Sequence, residues 1–492
     1  MKESQTNLSH NKTSKNVLSN MIWRFMESTS REIILFVLSI ILARLLEPSV
    51  YGIIALVTVF IHFSQVFVDS GLGVALIQKK NADELDFSTV FYFNIVMCIV
   101  LYTIVFAIAP FIASFYKMPI LKPVIRVLGI SILNSGIRNV QQSFVSRNLI
   151  FRYFFFANII GIILSATLGI LMAYHNAGVW ALVAQHVSNG LFSTMALWFI
   201  VRWRPRLVFS FERLKSLFPY SWKILASAIL EISYRNVRHL LIGKLYTADD
   251  LAFYDRGGQF PRLITNNLGI SIDSVLLPTM SNVQNDPQRV KNMTRRSIMT
   301  STFVIMPMMA GLMACSMPLV RLLLTDKWIP CVPFLRIFCM TYAFFPIHTA
   351  NLNAIKAMGR SDLFLILEII KKIIGVTVLL CTIWVSVQAM AYSLLFSSFA
   401  GQIINSWPNK KLLGYSYLEQ VQDMIPQIGL SLFMGIAVYL VSFINLNDIA
   451  TLCIQIPLGA IIYLATAKIL KFESEIYIEN LIKNFLKGKR KA

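Results

Sequence analysis

LEISYRNVRHLLIGKLY, residues 230–246, continues from SWKILASAI with the length and apolar content of a membrane-crossing helix, yet it carries Glu231, Arg235 and Arg238. On a helix these lie at i, i+4 and i+7 and share one face. A charge at mid-bilayer costs about 2.5–3.5 kcal/mol per residue even on the mildest scales. Three on one face must look at something other than lipid.

The surrounding chain makes the bilayer the expected solvent. Of 492 residues, 56% are hydrophobic and 14% charged, where a soluble protein carries about 25% charged residues. Apolar runs of roughly 20 residues, enough to span the hydrocarbon core, recur at 17–43, 50–76, 87–109, 120–143, 153–174, 178–201, 217–243, 250–277, 297–320, 332–355, 363–384, 387–407, 424–444 and 447–467. No strand-like alternation competes over comparable lengths. The expected fold is an all-α polytopic membrane protein with about fourteen transmembrane helices. The opening MKESQTNLSHNKTSKN lacks the apolar core and cleavage site of a signal peptide, so the first helix is expected to remain in the mature chain.

The net charge of +21 is distributed as a topology signal. With the N-terminus inside, the alternate loops and tails hold 27 lysines and arginines on the cytoplasmic side and 6 outside. That is the positive-inside pattern for an even helix count with both ends cytoplasmic. The basic tail ending LKGKRKA is expected on anionic lipid headgroups, and no nucleic-acid partner is expected. The six cysteines form no CxxC pair, so neither a metal site nor a disulfide framework is expected.

Part of the message is written twice. ILARLLEPSVYG (41–52) parallels LIGKLYTADDLAFYD (241–255). APFIASFYKMPILKPVIRVL parallels SMPLVRLLLTDKWIPCVPFLRIF, pairing Pro110 with Pro318, Pro123 with Pro333 and Arg126 with Arg336. The offsets put helices 1–6 in register with 7–12. The expected organisation is a cytoplasmic segment 1–16, an N-lobe 17–201, a basic linker 202–216, a C-lobe 217–407, two further helices within 408–467 and a basic cytoplasmic tail 468–492. Two similar six-helix lobes are a transporter architecture in which substrate binds between halves that rock to expose it alternately.

Beyond the loop residues already counted, twelve basic residues fall inside the spans, and seven acidic ones lie inside them away from their ends. Helix 1 aligns Arg24, Glu27 and Arg31. Helix 2 aligns His62, Gln65 and Asp69, and helix 4 aligns Asn134, Arg138 and Gln141. In the second half, helix 7 carries the opening stretch, helix 8 aligns Asp255, Gln259, Arg262, Asn266 and Asp273, and helix 10 holds His348 and Asn351. Gly257, Gly258 and Pro261 are expected to weaken helix 8, and irregular backbone at membrane depth survives only beside protein or water. Structural ion pairs such as Glu27–Arg31 and Glu231–Arg235 compete with a binding role, but they leave a surplus of cations. These faces are expected to turn toward a hydrated, central cationic cavity. A positive chamber suits an anion, and guanidinium forks suit phosphate oxygens. A drug exporter for organic cations would keep an acidic cavity.

Four stretches carry a family resemblance over nearly the whole chain: ARLLEPSVYGIIALVTVF, FVDSGLGVALIQKK, RNVQQSFVSRNLIFRYFFFANI and YDRGGQFPRLITNNLGISIDSVLLP. Together they resemble the Wzx-type polysaccharide flippases, in the colanic acid and teichuronic acid exporter branch of the multidrug/oligosaccharidyl-lipid/polysaccharide exporter superfamily. The resemblance implies a MATE-like fold of twelve core helices plus two. It implies flipping of undecaprenyl-diphosphate-linked oligosaccharide repeat units across the bacterial inner membrane for surface polysaccharide, beside membrane lipids and polymerase or export machinery. Cavity cations hold the pyrophosphate or acidic sugars in such flippases, a role that would fall to Arg24, Arg31, Arg138, Arg235, Arg238, Arg256 and Arg262. Some members couple to ion gradients. Here Asp69, Glu231, Asp255 and Asp273 would take a proton or sodium ion, with no other cofactor and no metal.

Rival functions are weaker. An enzyme acting on the same lipid-linked sugars needs an extramembrane catalytic platform, whereas the loops are short and carry no Walker A, HExxH or GxSxG motif. A peptidoglycan lipid-precursor flippase and a MATE-type small-molecule or cation antiporter are the alternatives on the same fold.

Overall fold

The computed structural model describes residues 23, 26–69, 71–79, 81–444 and 446–489. Arg24 and the segment 1–16 lie outside them. Helix α1 covers residues 26–45. It is followed by α2 (Pro48–Asp69), α3 (Leu72–Gln78), α4 (Glu84–Phe115), α5 (Leu121–Leu128), α6 (Ile130–Arg147), α7 (Arg152–Tyr174), α8 (Val179–Ile200), α9 (Phe211–Leu245) and α10 (Ala248–Ser281). Then come α11 (Pro287–Ala314), α12 (Ser316–Leu324), a 3-10 turn (Asp326–Cys331), α13 (Val332–Ala343) and α14 (Phe345–Ala357). The chain closes with α15 (Ser361–Thr382), α16 (Val387–Leu413), α17 (Tyr417–Leu440), α18 (Asp448–Ile469) and α19 (Glu473–Lys489).

Among the described residues, each of the fourteen expected spans corresponds to helix. Eight stretches among the described residues are long and apolar enough to cross a membrane by length and composition. The charged α9 and α10 are not among the eight. The repeat-related spans 4 and 10 are each built from two helices end to end, α5–α6 and α13–α14.

By packing, the chain divides into two compact units, Met1–Ala252 and Phe253–Ala492. Helix counting put the division at the linker 202–216. Helix α9 nevertheless packs on α2, α3 and α4, which places it with the first unit. Leu56 of α2 lies against Gly243, the Tyr116 hydroxyl donates to the Leu240 carbonyl at 3.4 Å, and the Lys244 ammonium donates to the Phe115 carbonyl.

Several loop cations that gave the charge bias also close helix ends in the first unit. Arg147 Nη1 donates to the carbonyls of Leu76 (2.7 Å) and Lys79 (2.5 Å) at the end of α3. Arg204 caps the end of α8 through the carbonyls of Val201 and Trp198. Such carbonyls have no partner within their helix, and a cation there also meets the negative end of the helix dipole. Asp86, fully buried, joins α3 to α4: Lys79 Nζ donates to both its carboxylate oxygens at 2.7 Å, and a capping box with Asp83 closes the start of α4. Helices α7 and α8 pair so closely that a Cβ on Gly161 would lie 1.9 Å from Ser193 Oγ.

Polar side chains also knit the second unit. Asn351 Nδ2 donates to Gln420 Oε1 at 2.7 Å, and Asn409 Nδ2 donates to Asn351 Oδ1 at 2.6 Å, all three residues being buried. His348 lies between Ser398 (3.3 Å) and Asn405 (3.1 Å). His348 and Asn351 thus serve the packing of α14 on α16 and α17, contrary to the cavity-facing role expected of them. Helix α10 corrects a second expectation, since it runs unbroken through Gly257, Gly258 and Pro261. Gly257 is there for contact: a Cβ would stand 2.6 Å from Phe334 Cβ and 2.8 Å from Leu335 N. The tail is not simply a charged strand of chain either. Its α19 packs on α11, with Ser474 buried and Glu473 ion-paired to Arg295 at 3.3 Å.

Candidate functional site

Within the first unit a cavity of about 390 Å³ opens among α1, α6, α7 and α8, lined by Glu27, Arg31, Arg138, Asn158, Asn189 and Ser193 with several neighbours. Small-molecule sites run at about 300–1,000 Å³. Three helices meet at Asn158. Its Nδ2 donates to Glu27 Oε1 at 2.7 Å, and its Oδ1 accepts from Arg138 Nη2 at 2.6 Å. Arg31 Nε stands 3.6 Å from the same Glu27 oxygen. Glu27 is buried, whereas Arg31 is 44% exposed.

The electrostatics leave capacity for an anion. Arg31 and Arg138 lie within electrostatic reach of each other, and Arg138 is also within reach of Asp69 and Glu27. Arg31 contacts Glu27, and Arg138 Nε is buried without a hydrogen-bond partner. A buried unsatisfied donor costs about 1–3 kcal/mol, more when charged, so a ligand with anionic oxygens would be stabilised there. A second arm leads from Asn94 Nδ2 to Asn139 Oδ1 and from Asn139 Nδ2 to Asp69 Oδ1, both at 3.3 Å. Asp69 itself is exposed.

The opening stretch supplies another cationic face on α9. Arg235 and Glu231 are exposed, while Arg238 is only 5% exposed with Nε and Nη2 lacking hydrogen-bond partners. His62 of α2 lies within electrostatic reach of Arg235 and His239, and His186 of α8 within reach of His62. Polar groups exposed at this depth are stable against water or protein, not lipid.

The arginines named in the second unit are differently employed. Arg262 Nη2 contacts Asp255 Oδ1 at 2.8 Å and its Nε donates to the Gly258 carbonyl at 3.0 Å, so this guanidinium folds back on α10. Arg256, buried, donates to Gln259 Oε1 at 2.5 Å and stands over Trp328. Asp273 lies on α10, and its side chain is outside the described residues. Arg31 and Arg138, named from separate helices, meet in one cavity. The residue that joins them, Asn158, was missed, although a single amide in the apolar run FFFANIIGIIL was the available signal.

A family described as polysaccharide biosynthesis protein matches residues 41–333. The chain belongs to that family. Among curated relatives, the succinoglycan biosynthesis transport protein ExoT of Rhizobium meliloti is 24% identical over 66% of this chain and 66% of its own length. The teichuronic acid biosynthesis protein TuaB of Bacillus subtilis is 22% identical over 82% of this chain and 85% of its own. Among solved structures, the lipid II flippase MurJ in an inward-closed conformation superposes with a TM-score of 0.73 at 15% identity, covering 94% of this chain and all of that one. That likeness shows the fold. The chain is a multi-pass membrane protein of a polysaccharide biosynthesis family.

Proposed function

We propose that this protein flips undecaprenyl-diphosphate-linked oligosaccharide units from the cytoplasmic to the outer leaflet of the bacterial inner membrane by alternating access. The single observation that carries the reading is the polar cavity of the first unit, where Arg31 and Arg138 outnumber Glu27 and Arg138 Nε has no protein partner. Membership of the polysaccharide biosynthesis family supports the cargo class. In this mechanism Arg31 and Arg138, with Arg235 and Arg238 of α9, hold the pyrophosphate or acidic sugars. Several cationic sites allow the anion to pass along without being trapped at one. Asp255, Arg256 and Arg262 hold α10 in shape. Asp69, exposed and linked to the Arg138 helix through Asn139, is the carboxylate assigned to coupling with a proton or sodium ion.

The test is the Arg235→Ala/Arg238→Ala variant in cells lacking the protein, with lipid-linked oligosaccharide and surface polymer both measured. Loss of polymer with the precursor retained, at normal protein level in the membrane, is expected. Wild-type polymer export by this variant would remove α9 from the mechanism.

A further inference from the structure

The repeat-matched arginines Arg126 and Arg336 have opposite surroundings. Arg126 is occupied: its Nε donates to the Phe106 carbonyl at 3.4 Å, and its guanidinium lies 3.9 Å over that ring. Arg336 donates through Nε to Ser316 Oγ at 2.9 Å and stands 6.0 Å from the Tyr439 ring. Among the described residues no carboxylate pairs with it. It borders a cavity of about 280 Å³ lined chiefly by apolar groups, including Ala310 and Met313 of α11 and Leu432, Gly435 and Tyr439 of α17. Helix α17 is the first of the two outside the duplicated core, so this groove has no counterpart made by the repeat alone.

The groove is open and has room. Leu432 is 54% and Tyr439 43% exposed on the membrane-spanning surface. A Cβ on Gly435 would meet nothing nearer than Ala310 Cβ at 3.4 Å. Arg336 sits in the second turn of α13, just after the 3-10 turn that caps this end of the bundle. A long cationic side chain near the start of a spanning helix can snorkel toward the headgroup layer, while the groove wall beside it is apolar.

From this pairing of a guanidinium that has no carboxylate partner among the described residues with an apolar groove, we propose that the α11–α13–α17 groove is a binding site for one anionic glycerophospholipid. Its phosphate rests on Arg336 and an acyl chain lies along Ala310, Met313 and Gly435. Charge complementarity selects the phosphate, and the apolar lining selects a lipid over free phosphate. The proposal does not depend on the cargo proposed above.

Native mass spectrometry of the intact protein, titrated with phosphatidylglycerol and with phosphatidylcholine, tests it. Wild type should retain one phosphatidylglycerol at a tenfold or more lower lipid concentration than phosphatidylcholine. Arg336→Gln should abolish that preference, Arg336→Lys should keep part of it, and Gly435→Leu should weaken retention of both lipids by filling the groove. Arg126→Gln should leave the preference unchanged. Equal retention of the two lipids by wild type, an undiminished preference in Arg336→Gln, or undiminished retention of both lipids by Gly435→Leu would overturn the proposal. So would displacement of the lipid by inorganic phosphate alone, or by a polyprenyl diphosphate at equimolar concentration, the latter making the groove a cargo site.

Discussion

Replacing Asn158 by leucine tests the cavity's internal logic. Leucine is of similar size but removes both a donor to Glu27 at 2.7 Å and an acceptor from Arg138 at 2.6 Å. Hydrogen bonds to charged groups contribute about 1.5–3 kcal/mol each, so the two together amount to about 3–6 kcal/mol. Water recovers little of this at Glu27, which is 5% exposed and stands 3.6 Å from Arg31 Nε. The loss should depend on the Glu27 charge. In a Glu27→Gln background, Asn158→Leu should cost at least ~1 kcal/mol less, the coupling expected of residues in one network. Reversible denaturation of the four proteins of this cycle in mixed micelles measures it. An Asn158→Leu protein within about 0.5 kcal/mol of wild type, or strict additivity, would refute the reasoning.

Other perturbations should respond in distinct ways. Gly161→Val drives a side chain into Ser193, whose backbone nitrogen would lie 2.8 Å from the new Cβ; folded protein recovered by size-exclusion chromatography should fall severely, since α7 and α8 cannot keep their separation. Asp86→Ala breaks the buried Lys79 pair and half of a capping box. Its cost in denaturation should be about 2–3 kcal/mol, below the 3–5 of a fully buried pair because Lys79 can hydrate. Arg295→Gln removes the contacts to Asp423 at 3.0 Å and Glu473 at 3.3 Å. Hydrogen exchange over 473–489 should accelerate while global stability changes by less than about 1 kcal/mol, as for an exposed ion pair.

The architecture was legible because the bilayer imposes long apolar helices and one-sided basic loops, and both patterns survive in a single sequence. Capping residues such as Ser386, Ser416 and Asn447 lie where the apolar runs stop, and each accepts a hydrogen bond from the third residue onward. Helical periodicity gives the direction of a face but not its neighbour. It therefore grouped His348 and Asn351 with the cavity, whereas their side chains hydrogen-bond to residues of α16 and α17. It also could not show that Arg262 turns back onto Asp255 and the Gly258 carbonyl, nor that Gly257 serves contact with Phe334. The amphipathic α19 was hidden by the charges of the tail, which dominate its composition.

The central claim is that the first unit's basic cavity holds the cargo's anionic group. In cells lacking the protein, the most direct measurement is the leaflet distribution of undecaprenyl-diphosphate oligosaccharide after supplying wild type or the Arg31→Gln/Arg138→Gln variant. The expected result is outer-leaflet precursor with wild type and cytoplasmic accumulation with the variant, both proteins being present at equal levels in the membrane. Outer-leaflet precursor at wild-type levels with both arginines neutralised would contradict the claim.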